Sequence, residues 1–196
     1  DLLGPLAKAG AKIGVMKGHE TKLQMPLRDW EWLMAALPGL EIADVTGLIQ
    51  GLRMVKSPSE IAKLEHICAI GSAAFHKVPD FIYEGMPLEE VFRQFRLAAI
   101  GNGADDAPYV VGAADQGGYA DVISPPSRRP LQHGDVLMLD TGCTWDGYFC
   151  DFDRNYSLGA PSAAVAAAHA KLMEATQAGF EAAQVGATMA DLFHAM

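Results

Sequence analysis

Cysteine is scarce: Cys68, Cys143 and Cys150 are the whole set in 196 residues, too few and odd in number for the disulfide scaffold of a small secreted domain. Long apolar runs are missing too. Nothing approaches the roughly 20 residues of a membrane helix, and no basic segment followed by an apolar one opens the chain. A soluble, cytoplasmic protein with no membrane partner is therefore expected. Basic side chains are outnumbered, 15 against 24 acidic for a net charge of −9, and form no stripe, which argues against nucleic acid as a partner. Internal repeats are lacking, and only the Ala-rich stretch 163–170 is compositionally plain. What is present is ordinary globular material, 50% hydrophobic and 20% charged. A chain of this length removes roughly 70% of its unfolded surface from water, so a core needs neither disulfide nor structural metal.

The first fifty residues offer a short strand over 11–16, a helix over 27–37 closed by Pro38-Gly39, and a strand over 41–45. These are too few elements to close a sheet covered on both faces, and Trp30 and Trp32 are expected to anchor their packing. Organisation changes at Gly51. Ser57, Pro58 and Glu60 have the spacing of a capping box with proline at the first helical position, and Ile61, Leu64, Ile67, Cys68, Ile70 and Phe75 recur at helical spacing, predicting a helix that runs to about Tyr83. A second helix is expected over 87–100. Residues 105–130, rich in Gly, Pro, Asp and Ser, read as a long loop with short extended pieces such as 109–111. A helix over 162–184 and the start of another element at Asp191 complete the chain.

The chemistry is concentrated in residues 135–156 (DVLMLDTGCTWDGYFCDFDRNY). An apolar run over 136–139 leads directly to Asp140, inside a strand expected to be buried on both faces. Asp146-Gly147 is a strong hairpin signal. A four-residue loop over 144–147 would set Asp140 directly opposite Asp151, and a two-residue loop at 146–147 would set them diagonal. In either case both share a face with Asp153, while Cys143 and Cys150 lie on the other as small buried hydrophobes. Carboxylates gathered on an apolar sheet must be protonated, paired with cations or bound to metal. Hard oxygen donors suit Mn, Mg or Zn; the competing solution is pairing with Arg154, Arg128 or Arg129. The triplet Asp140-Thr141-Gly142 also occurs in aspartic proteases, but those enzymes need two such triplets, and the flanking helices do not fit their all-β architecture. Glu174 and Glu181 read as a solvated helix face, and His169 and His194 as helix-surface residues rather than ligands.

Residues 53–61 (RMVKSPSEI), the Gly134-Asp135 turn, 140–142 (DTG) and 147–154 (GYFCDFDR) together resemble the creatinase, prolidase and aminopeptidase P family. The resemblance covers 51–196, the N-terminal portion of the catalytic domain, with 1–50 resembling the end of the family's N-terminal domain. It implies the α/β pita-bread fold, hydrolysis of an amide bond in a peptide or small amino-acid derivative, often beside proline, a centre of two divalent ions (Mn, Co or Zn), and a homodimer. By resemblance, Asp140 and Asp151 are the first two metal ligands, and Asp153, Thr141 and Arg154 are expected around them; no catalytic residue is assigned. Asp153 stands where the family commonly has Thr. The family's remaining ligands, a His and two Glu, have no counterpart before Met196, so the chain is expected to be a portion of a longer polypeptide, inactive by itself. The family's substrate-contacting His before the Gly-Asp turn has its place near Ile123, and His133 reads instead as a loop residue. Alternatives on the same resemblance are a creatinase-type hydrolase, a dimethylsulfoniopropionate-lyase-like enzyme acting on a small metabolite, and a non-catalytic pita-bread binding module.

Overall fold

The computed structural model describes residues 3–8 and 11–196. They form two compact units, 1–60 and 61–196. The first contains α1 (Gly4–Lys8), β1 (Lys12–Val15), α2 (Leu27–Ala36), β2 (Glu41–Asp44) and α3 (Thr46–Met54). β1 and β2 pair in parallel, Lys12 beside Glu41 through Val15 beside Asp44, with α2 in the crossover. The change of organisation expected at Gly51 falls inside α3, which runs unbroken across it, and the units divide after Glu60. Trp30 is half-buried, but Trp32 is 71% exposed, so it does not anchor this unit as expected.

α4 (Pro58–His76) begins with the expected cap. The Ser57 N–H donates to Glu60 Oε2 at 2.6 Å and the Glu60 N–H to Ser57 Oγ at 3.4 Å. It stops earlier than its apolar spacing predicts, because Pro79 has no N–H to give and its ring collides with the carbonyl four residues back. The chain resumes as the separate turn α5 (Val78–Phe81). α6 (Leu88–Gly101) follows, then three antiparallel strands in the order β3 (Asp106–Gln116), β4 (Asp135–Trp145), β5 (Tyr148–Ser157), and finally α7 (Ala163–Ala182) and α8 (Met189–Ala195). β3 is the main departure from expectation. Eleven residues, of which only 109–111 read as extended in an otherwise loop-like stretch, alternate between buried and open positions along β4, with one irregularity between Asp106 and Tyr109.

One face of this sheet carries the core. Val110, Leu137, Leu139, Cys143 and Cys150 are buried there against Ile67, Phe75, Phe92 and Phe95. The approach of α4 is close: a Cβ on Gly71 would lie 2.9 Å from Cys150 Sγ, and the Tyr156 hydroxyl donates to the Phe75 carbonyl at 2.9 Å. The opposite face is half-buried at 109, 111, 136, 140 and 144, while Met138 and Gly142 on it are buried. β4 is thus covered on that side only in part, and the carboxylates stand on it. Among the described residues, no helix is long and apolar enough to cross a membrane.

Candidate metal centre

The β4–β5 hairpin turns through Asp146 (φ 48°) and Gly147 (φ 78°), two consecutive left-handed residues as a type I′ turn requires. Trp145 therefore pairs with Tyr148, and the register continues through Cys143 with Cys150, Gly142 with Asp151 and Asp140 with Asp153. The two-residue loop is the one adopted. Asp153, not Asp151, stands directly opposite Asp140, and Asp151 is diagonal to it on the same face. Directly opposed side chains have Cβ atoms about 4.5–5.5 Å apart and diagonal ones somewhat more. The Cys143 and Cys150 sulfurs, 3.4 Å apart, lie on the helix-covered face behind.

None of the arginines weighed as partners neutralises this group. Arg129 is engaged by Asp135 and Asp115, and Arg128 by Glu89. Arg154, expected beside the carboxylates, projects to the helix-covered face, where its guanidinium lies over the rings of Phe75 and Phe152. Among the described residues no salt bridge reaches Asp140, Asp151 or Asp153. Burial raises the pKa of Asp140, and the Asp151 charge adds to it. Asp153 is likewise raised, by burial and then by Asp140, against the opposing pull of Arg154 and with a further push from Asp151. Thr141 is fully buried on the far face and spends its hydroxyl on the Tyr109 carbonyl at 2.6 Å, so it does not join the carboxylates.

Two features escaped the sequence reading. Tyr109, on β3, shares a cross-strand row with Gly142 and Asp151, and its hydroxyl donates to Asp151 Oδ1 at 2.7 Å. Gly142 lies between them in that row, and a Cβ there would collide with the Cys150 carbonyl oxygen and lie 2.5 Å from the Phe149 ring. Burial first, then this hydrogen bond and the neighbouring carboxylate charges, push the Tyr109 phenol up, so it stays a donor. The second feature is a clamp at the base of β4. Asp135 is fully buried and receives Arg129 Nη1 at 2.7 Å, Arg129 Nη2 at 3.0 Å, the Gln132 N–H at 2.9 Å and Gln116 Nε2 at 2.9 Å. The Gly-Asp turn, singled out by resemblance, thus ties the loop before β4 to the strand that carries Asp140.

Residues 62–196 match the model of metallopeptidase family M24. The chain belongs to that family. It is 33% identical over 165 residues to a protein named probable dipeptidase PepE from Mycobacterium tuberculosis, an alignment covering 79% of this chain and 44% of that protein. Among solved structures it is similar to the prolidase of Pyrococcus horikoshii, with a TM-score of 0.78 at 22% identity over 93% of this chain and 52% of that one. It is also similar to dipeptidase PepE of Mycobacterium ulcerans, with a TM-score of 0.70 at 27% identity over 91% and 47%. The fold is accordingly the α/β pita-bread fold, and the chain spans about half the length of the M24 relatives it matches. The donor chemistry of the open face fits part of a divalent-metal site, with hard carboxylate oxygens that no side chain among the described residues pairs in a salt bridge. It is a partial set. Among the described residues no three His, Cys, Asp or Glu side chains converge closely enough to hold an ion.

Proposed function

We propose that the open face of the hairpin is the first part of the metal centre of an M24 amide hydrolase, with Asp140 and Asp151 as ligands for divalent Mn, Co or Zn and Asp153 beside them. The observation that carries this reading is the direct pairing of Asp140 with Asp153 and the absence of any salt bridge to either among the described residues. Like charges placed directly opposite on a sheet are unfavourable, and a bound dication removes that cost. When bound, such ions polarise a carbonyl and activate water. The chain's own residues do the positioning. Tyr109 holds one oxygen of Asp151 by its hydroxyl, leaving the other for a ligand, and the Asp135 clamp fixes the start of the strand that presents Asp140. In the whole protein, residues 1–50 would be the end of the N-terminal domain, 51–196 the first portion of the catalytic domain, and the assembly a homodimer.

The substrate we infer is a peptide or small amino-acid derivative other than an ordinary Xaa-Pro dipeptide. At the position where the resembling enzymes carry a substrate-contacting His stands Ile123, 73% exposed. An aliphatic side chain donates no hydrogen bond to a tetrahedral oxyanion, and loss of one such donor costs on the order of 10²–10³ in rate. Assaying the metal-loaded whole protein against Xaa-Pro dipeptides, other dipeptides and N-acyl amino acids tests this. Slow Xaa-Pro cleavage beside faster turnover of another amide is expected. A kcat/KM for Xaa-Pro peptides of about 10⁴ M⁻¹s⁻¹ or more would defeat the substrate inference, and no metal-dependent hydrolysis of any amide would defeat the hydrolase reading.

A further inference from the structure

Two of the chain's three cysteines are cross-strand partners. Cys143 on β4 pairs directly with Cys150 on β5, and their sulfurs stand 3.4 Å apart as free thiols. The third, Cys68, lies one turn of α4 before Gly71, where a Cβ would be 2.9 Å from Cys150 Sγ, so α4 closes over the pair. Directly opposed side chains on a sheet have Cβ atoms about 4.5–5.5 Å apart, and a disulfide takes them at about 3.5–4.5 Å with the sulfurs at about 2.05 Å. The pair is therefore about 1 Å of strand movement from bonding geometry. Cys143 and Cys150 are 1% and 4% exposed, so an oxidant meets them when the end of the hairpin opens. The sheet order favours that opening. β5 is an edge strand, with β4 on one side and no strand on the other among the described residues, and local unfolding draws on elements with few such neighbours.

We propose that Cys143 and Cys150 are a modification site, forming a reversible disulfide on exposure to hydrogen peroxide and so clamping the hairpin that presents Asp140 and Asp151. The proposal is independent of the hydrolase reading. One sulfur, as thiolate, attacks a peroxide oxygen: an S–O bond forms, the O–O bond breaks, and the departing hydroxide takes up a proton as water. The other sulfur then attacks the resulting sulfenic acid: the S–S bond forms, the S–O bond breaks, and a second water leaves. Two thiols are oxidised and one peroxide is reduced. A small thiol reverses the change by exchange through a mixed disulfide. The bond lies one row from the Gly142–Asp151 pair, so it holds the register in which Asp151 meets the Tyr109 hydroxyl. The hairpin end then no longer opens by losing hydrogen bonds alone. The loop closed, 143–150, is short, and amide exchange across it should slow by about 10–100-fold.

The test reads the whole protein by mass. Reduced protein is exposed to hydrogen peroxide, its remaining thiols are alkylated in denaturant, and trypsin then releases Cys143 and Cys150 together on one peptide, 129–154, and Cys68 on another, 64–77. Peptide 129–154 should appear unalkylated and lighter than its dithiol form by two hydrogens, and dithiothreitol before alkylation should return it to the doubly alkylated form. Cys143→Ser should abolish the lighter peptide and Cys68→Ser should leave it. The wild-type peptides carry the conclusion by themselves, whether or not the variants fold. Hydrogen exchange of the oxidised protein should be slowed at 142–151 relative to the reduced one. Peptide 129–154 doubly alkylated after a peroxide dose that oxidises the exposed Met189, a disulfide joining 64–77 to 129–154, or exchange at 142–151 indifferent to oxidation would each overturn the proposal.

Discussion

Removing the charge of Asp153 should stabilise the metal-free protein, the opposite of what most substitutions do. Asp140 and Asp153 pair directly across β4 and β5, which sets their charges about 5 Å apart. Two unit charges at that distance repel by about 0.8 kcal/mol in a water-like medium and about 3 kcal/mol at an effective dielectric of 20. Asp153 is exposed and Asp140 half-buried, so screening holds the value near the lower limit, about 1 kcal/mol. Asp153→Asn keeps the shape and loses the charge. Urea denaturation at pH 7 with a chelator present should therefore show the variant more stable by about 1 kcal/mol with an unchanged slope. Saturating Mn²⁺ should then shrink or reverse the difference, because the ion stabilises the wild-type carboxylates more. A variant that is less stable than wild type without metal, or a difference indifferent to metal, would refute the reasoning.

The Asp135 clamp gives a prediction of opposite sign. Asp135→Asn leaves the Arg129 guanidinium without its buried partner and should cost about 3 kcal/mol, measurable by denaturant titration. Burial alone would raise the Asp135 carboxyl, but Arg129, the Gln132 N–H and Gln116 outweigh it and hold it below the ordinary carboxylate value of 3.8. A depressed pKa in the folded state means that the unfolded chain takes up protons first as pH falls. The clamp's contribution is thus complete well above pH 3.8 and is lost as pH falls through the depressed value, and denaturation curves between pH 6 and pH 2 should converge for wild type and Asp135→Asn. Tyr109→Phe removes the donor to Asp151 Oδ1 and should weaken metal binding about 10–100-fold with little effect on unfolding free energy, a separation that calorimetric metal titration beside urea denaturation reveals.

Local chemistry was the legible part of this chain. The Ser57–Glu60 cap and the Asp146-Gly147 turn each depend on residues within a few positions of one another, and the structure forms both. That Asp140, Asp151 and Asp153 share one face follows from strand alternation alone, whichever loop length is used. Which of the latter two stands opposite Asp140 depended on the turn's length, decided by left-handed backbone at both Asp146 and Gly147. β3 was illegible because Pro108, Gly112, Ala113 and Ala114 lack β-propensity; pairing with β4 and packing on α6 override it. Tyr109 was read as extended chain but not as a site residue, since its reach to Asp151 exists only once three strands are in register. The partner of Arg129 could not be read either. Its choice of Asp135 over Asp140 is set by where the loop before β4 returns, a tertiary fact with no local signature.

Metal binding to the whole protein tests the central claim most directly. Purified without chelator and assayed by elemental analysis and Mn²⁺ titration, the wild type should hold stoichiometric divalent ion, and Asp140→Asn and Asp151→Asn should each lose tight binding, since a neutral amide is a far poorer ligand for a hard dication than a carboxylate. A wild type that binds no divalent ion, or an Asp140→Asn protein with unchanged metal content, would contradict the assignment of this hairpin as part of a metal centre.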